Sequence, residues 1–233
     1  SVYTAGIAAN NKGSATADYP VVFKGCVNTG NIASSAQQIA GIVAYITNYT
    51  SVDSCLNYGT IEQGIWGAAG ICYTMAGTTS SLTNCINYGD VSVTQYNAGG
   101  IVGNCASTTA VIENCVNVGN ITSTTTAEKN NYGVGGIAGS SYATMKNCFN
   151  AGKVVGKLRV GGIVGSPSYN ANGARTQLVN CVNVGLITAD EGCGGALVGT
   201  TKGEEEKYWG DNNSCTNSYY LNDLSAKGEG ASY

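Results

Sequence analysis

The chain has 233 residues, of which 11% are charged, 34 are Gly and 2 are Pro, with a formal net charge of −3. Apolar residues make up 43%, which excludes a disordered polar chain, and the 11 basic residues are too scattered for a nucleic-acid footprint. No apolar run approaches the ~18 residues of a membrane-spanning helix, and the absence of histidine removes His-based acid–base chemistry, Ser-His-Asp constellations and HExxH zinc sites.

Two short boxes alternate along the chain. AGI at 5–7 is followed by Cys26-x-Asn28-x-Gly30-x-Ile32, and AGIVA at 40–44 by Cys55-x-Asn57-x-Gly59-x-Ile61. AGIC at 69–72 leads to Cys85, Asn87, Gly89 and Val91, and GGIVG at 99–103 to Cys115, Asn117, Gly119 and Ile121. GGIAG at 135–139 leads to Cys148, Asn150, Gly152 and Val154, and GGIVG at 161–165 to Cys181, Asn183, Gly185 and Ile187. GGALVG at 194–199 leads to Cys215 and Asn217, with Tyr219 in place of the glycine. The cysteine intervals are 29, 30, 30, 33, 33 and 34 residues.

Each box is a short, β-branched, glycine-punctuated run with no helical period, so it reads as strands separated by bends. Seven such units predict an all-β, right-handed parallel β-helix (β-solenoid) of about seven coils of ~30 residues, with two or three strands in each. A β-propeller blade needs ~40 or more residues, so the period is too short for one. The solenoid is expected over 1–223 as a single domain, followed by a tail at 224–233. The acidic, aromatic stretch from 201 onward suits a C-terminal cap. No signal peptide is read at the start, which lies at an AGI box, and further domains of the same polypeptide are expected.

In-register stacking predicts two ladders. Cys26, Cys55, Cys85, Cys115, Cys148, Cys181 and Cys215 are expected to form an interior column of reduced thiols. Stacked cysteines have parallel Cβ vectors, a poor geometry for disulfides, and no C-x2-C pair offers a metal site. Cys72 stands in the place of Val43, Val102 and Val164, and Cys193 in that of Ala68, Ala98, Val134 and Val160; near the C-terminal end the sequence leaves a Cys193–Cys215 bridge open. Asn28, Asn57, Asn87, Asn117, Asn150, Asn183 and Asn217 are expected to hydrogen-bond along the axis, at a bend whose Asn and Gly supply positive φ. Tyr58 and Tyr88, with Thr29 before and Val118 after, should stack as an aromatic pair.

The alternation of G-G-[IA]-[VA]-G with N-C-x-N-x-G-x-[IV], closed by SCTNSYYLND at 214–223, resembles the GLUG-motif repeats. These occur in secreted or wall-attached bacterial proteins, including the non-catalytic repeat regions of IgA-specific metalloproteases. The resemblance covers 5–223. It implies an extracellular scaffold, secreted or attached to the cell surface, with no catalytic residues to carry over and no cofactor.

Binding is then expected in loops carried by the coils. The longer connections at 8–20, 122–132, 166–176 and 201–211 hold Tyr132, Tyr169, Tyr208 and Trp209 among Asn, Ser and Thr. This chemistry suits a host glycan or glycoprotein. The alternative is a polysaccharide-active lyase or hydrolase, for which Asp53 and Glu113, two coils or ~9.6 Å apart, are the candidate pair. Thr83 between them and Lys24 and Lys146 beside them favour a solvated face instead. The run of Glu at 204–206 reads as a solvated loop rather than a Ca²⁺ site. The expected function is a non-catalytic adhesin, binding scaffold or spacer.

Overall fold

The structure, a computed structural model, describes residues 2–11, 15–63, 66–124, 132–167, 176–190, 193–199 and 214–221. Tyr169, Tyr208, Trp209, the Glu run at 204–206 and the tail at 224–233 lie outside the described residues.

Among the described residues every strand pairing is parallel, and five sheets run side by side. The third turn shows the layout. Sheet 1 contributes Gly67–Ala69, sheet 2 Cys72–Met75, sheet 3 Ser81–Thr83, sheet 4 Ile86–Asn87 and sheet 5 Val91–Val93. Sheets 1, 3 and 4 have seven strands, sheet 5 has six and sheet 2 has five. The fold is therefore the expected parallel β-solenoid, and among the described residues it has no helix. Each turn carries five short strands rather than two or three. Five turns are complete in all sheets, and a partial turn flanks them at each end, where single bridges (Ala8 to Val43 and Val198 to Val164) stand in for a strand of sheet 2.

Register is set by what points inward. One apolar compartment lies between sheets 2 and 3, where Val52, Leu82, Ile112, Met145 and Leu178 stack in one column and Ile42, Ile71, Ile101, Ile137 and Ile163 in another, all fully buried. A second lies between sheets 1 and 5, built on Ala68, Ala98, Val134 and Val160 against Ile61, Val91, Ile121 and Val154. A one-residue slip would turn these columns to solvent.

An asparagine ladder runs between the two compartments. Asn28, Asn57, Asn87, Asn117 and Asn150 each donate from Nδ2 to Oδ1 of the asparagine one turn on, at 2.7–2.8 Å. The same nitrogens also donate to the carbonyl of the glycine two residues later at 2.7–2.9 Å, so the buried amides are satisfied. The two sequence boxes interlock here: a Cβ on Gly70, the second glycine of its box, would collide with Asn87 Cγ and with the carbonyl oxygen of Gly100.

The positive φ expected at the Asn-x-Gly bend lies elsewhere. It falls on the residue before each of the six cysteines Cys26 to Cys181 of the column, at Gly25 (63°), Ser54 (55°), Asn84 (57°), Asn114 (55°), Asn147 (53°) and Asn180 (54°), and in the last turn on Asn217 (48°), before Ser218. Gly59 and Gly89 are required for a different reason. A Cβ on Gly89 would strike the carbonyl oxygen of Gly59 in the turn below.

The last turn corrects the alignment of two ladder residues. Leu178 pairs with Cys215 and Asn183 with Tyr220. Cys215 therefore continues the leucine column, Ser218 takes the cysteine place, and Asn217 sits at the positive-φ bend. Ser218 Oγ donates to the carbonyl of Thr216 at 3.2 Å, the bond that each column thiol makes to its own residue i−2. The asparagine ladder ends at Asn183, whose Nδ2 donates to the carbonyl of Ala196 at 2.9 Å. Alanine replaces the box glycine in the turn where tyrosine replaces the ladder asparagine, which the interlock allows. Gly194, not Cys193, pairs with Val160, so Cys193 lies one place earlier than expected.

Candidate functional site

Tyr132, the one expected binding aromatic among the described residues, stands at the corner leading from sheet 5 into sheet 1. Its ring meets that of Tyr96 one turn below, with centroids 4.2 Å apart and planes at 48°. Tyr96 in turn meets Trp66, another turn below, edge-on at 6.1 Å and 82°. Trp66 is 39% exposed. Sequence reading misses Trp66 and Tyr96 as partners of Tyr132, because forward from Asn-x-Gly they lie seven residues after the glycine and Tyr132 lies thirteen. Both, like Tyr132, lie four residues before the second glycine of the next box (Gly70, Gly100 and Gly136), and aligning backward from that glycine exposes the column.

The strip has a rigid backing. Tyr73 is buried beside Ala40 and Ala69, and its ring fills the space that a side chain on Gly67 or Gly103 would need. Burial pushes the Tyr73 phenol above its ordinary range, against the opposing effect of a hydrogen bond with Asn97. Asn97 Oδ1 accepts the backbone N–H of Gly133 at 2.8 Å, which ties the Tyr96 and Tyr132 corners together. Partial burial, and then Tyr96, hold the Tyr132 phenol up.

A second aromatic pair marks the opposite corner of sheet 5. Tyr58 and Tyr88 stack at 4.8 Å with planes 2° apart, as expected, and are 50% and 42% exposed. The Asn57 and Asn87 ladder positions fix them, since each tyrosine directly follows its asparagine. Between the two corners, the strands Ile61–Gln63, Val91–Val93 and Ile121–Ser123 turn Ile61, Val91 and Ile121 inward and place Glu62, Ser92 and Thr122 outward.

The candidate acid pair lies on the outer side of sheet 3. Thr83 pairs with Asp53 on one side and Glu113 on the other. Asp53 accepts from Asn84 Nδ2 at 2.8 Å and Thr83 Oγ1 at 2.9 Å, and forms an ion pair with Lys24 at 3.4 Å. The Asn84 and Thr83 bonds hold its carboxyl below the ordinary value of 3.8. A general acid needs the opposite shift. Glu113 accepts from Asn147 Nδ2 at 3.4 Å. These contacts join a second, outer asparagine ladder in which Asn114, Asn147 and Asn180 each donate to the asparagine one turn earlier at 3.1–3.2 Å.

The cysteine column holds thiols whose Sγ donates to backbone carbonyls, as from Cys85 to Thr83 at 3.2 Å and from Cys115 to Glu113 at 3.3 Å. All ten cysteines are described, and no disulfide joins them. Burial pushes the Cys72 thiol well up and that of Cys105 to about 11. Among the described residues, no three His, Cys, Asp or Glu side chains group into a metal site, and no helix is long and apolar enough to cross a membrane.

No protein-family model matches the chain, and no curated protein matches it. Among solved structures it is similar to the crystal structure of a candidate immunoglobulin A1 protease from Bacteroides ovatus. The identity is 14% and the TM-score 0.58, over 100% of this chain and 75% of that one. At that identity the likeness is one of fold: this chain shares its solenoid architecture with that protein.

Proposed function

We propose that the chain is a non-catalytic repeat module of an extracellular bacterial surface protein, and that it works as a binding scaffold. The observation that carries this reading is the Trp66–Tyr96–Tyr132 strip, exposed at Trp66 and half-buried at both tyrosines, on a rigid backing. Large rings with few rotatable bonds, held in place before contact, lose little entropy on binding. The fold shared with a candidate immunoglobulin A1 protease supports reading the chain as a repeat module of such a surface protein. Asp53 is engaged by Asn84, Thr83 and Lys24 as part of the outer ladder, which favours the scaffold over the lyase or hydrolase alternative.

The test is biolayer interferometry on immobilised mucin and immunoglobulin A1. The wild-type module should bind at least one of them, and a Trp66→Ala/Tyr96→Ala/Tyr132→Ala variant should lose tenfold or more in affinity. Binding to neither would leave a pure spacer. Turnover of a polysaccharide that disappears in Asp53→Asn or Glu113→Gln would overturn the non-catalytic reading.

A further inference from the structure

Sheet 5 presents its outward residues between two aromatic corners, with Tyr58 and Tyr88 at one and Trp66, Tyr96 and Tyr132 at the other. The extended strand between the corners, Val91–Val93 in one turn, spans about 10 Å at ~3.3 Å per residue. Its outward side chains there are Glu62, Ser92 and Thr122, a carboxylate and two hydroxyls. Rings at both ends of a short polar floor match a ligand whose C–H faces stack on aromatics while its hydroxyls hydrogen-bond between them.

Charge narrows the class. Between Lys24 and Lys129 the sequence contains no Lys or Arg, so the part of the face from Tyr58 to Tyr96 has no cation to receive a sulfate, sialate or uronate, and Lys129, three residues before Tyr132, is the first basic residue beyond it. Exposed Glu62 and Asp90 add negative charge there. An anionic glycan would meet uncompensated like charge.

We infer that the outer face of sheet 5, between the Tyr58–Tyr88 stack and the Trp66–Tyr96–Tyr132 strip, binds a neutral oligosaccharide. This rests on the binding-scaffold reading and assigns its ligand class. The rings stack on sugar faces at either end, and Glu62, Ser92 and Thr122 take hydroxyl hydrogen bonds from the middle units.

The experiment is isothermal titration calorimetry with cellotetraose, mannotetraose and chitotetraose as neutral probes and tetragalacturonate as the anionic one. In parallel, Trp66 fluorescence is followed in a Trp209→Phe background. At least one neutral tetrasaccharide should bind saturably and shift Trp66 emission. Tyr58→Ala and Trp66→Ala should each weaken it by about tenfold, while Tyr19→Ala, an exposed ring in the first turn, should leave it unchanged. Tighter binding of tetragalacturonate, indifference to both corner variants, or silence of every neutral probe would overturn the inference. If mucin binding survives enzymatic deglycosylation while the tetrasaccharides are silent, the scaffold reading stands and the glycan inference falls. If mucin and immunoglobulin A1 are silent too, both fall.

Discussion

Asn87 satisfies three hydrogen-bonding demands with one amide: it donates to Asn117 Oδ1 and to the Gly89 carbonyl and accepts from Asn57 Nδ2. Its side chain is fully buried, so water cannot replace a lost partner. Asn87→Ala should cost roughly 2–4 kcal/mol in urea unfolding, because it strands a buried donor and acceptors as well as removing bonds. Asn87→Asp should cost more at neutral pH, since carboxylate oxygens would face two acceptors. Cys105 gives the pH signature. Burial raises its thiol to about 11 from 9.0, so the folded state favours the neutral form. Its contribution is complete below pH 9 and is lost as pH rises from there toward 11, by about 2 kcal/mol at the upper end. Chemical denaturation across pH 8–11 should show this loss, and Cys105→Ala should flatten the slope.

At the scale of strands and bends, the outer asparagines separate backbone from side-chain effects. Asn114 holds φ at 55° and donates to Asn84 Oδ1. Glycine there loses the ladder bond but accepts the conformation, whereas alanine loses the bond and strains the backbone. Asn114→Ala should therefore unfold about 1 kcal/mol more readily than Asn114→Gly, read as the difference between their urea midpoints. Much of the fold at this scale was legible in the sequence: the period, the inward aliphatics and the inner asparagine ladder all follow from strict repetition. The location of the strained bend was not, because Asn recurs both before the cysteine and two residues after it, and only stacking decides which turns left-handed. The last turn misled for a related reason. Ser214 to Asn217 copies the local N-C-x-N pattern, yet register follows the apolar column, and that column places Cys215 under Leu178. Of the binding surface, Tyr132 and the Tyr58–Tyr88 stack were readable. Trp66 and Tyr96 share one place, seven residues after Gly59 and Gly89, but the longer connection after Ile121 moves Tyr132 out of it, so the column of three was hidden in a forward alignment.

The whole molecule is a one-dimensional stack in which each turn contacts only its neighbours, so stability should behave as a sum over turns and interfaces. Pairing of Ile86 with Val116 means that deleting the thirty residues 86–115 would join Cys85 to Val116 in register. Asn57 would then meet Asn117, Gly59 would meet Gly119, and Leu82 would meet Met145. We expect this shortened protein to remain folded, with parallel-sheet circular dichroism retained and a lower denaturant m-value because less surface is exposed on unfolding. Deleting 86–114 instead, one residue fewer, would leave an extra residue at the junction and reverse the inward and outward faces of the strand that follows. That variant should lose cooperative unfolding. Equal behaviour of the two deletions would mean that in-register stacking of the columns is not what specifies this fold.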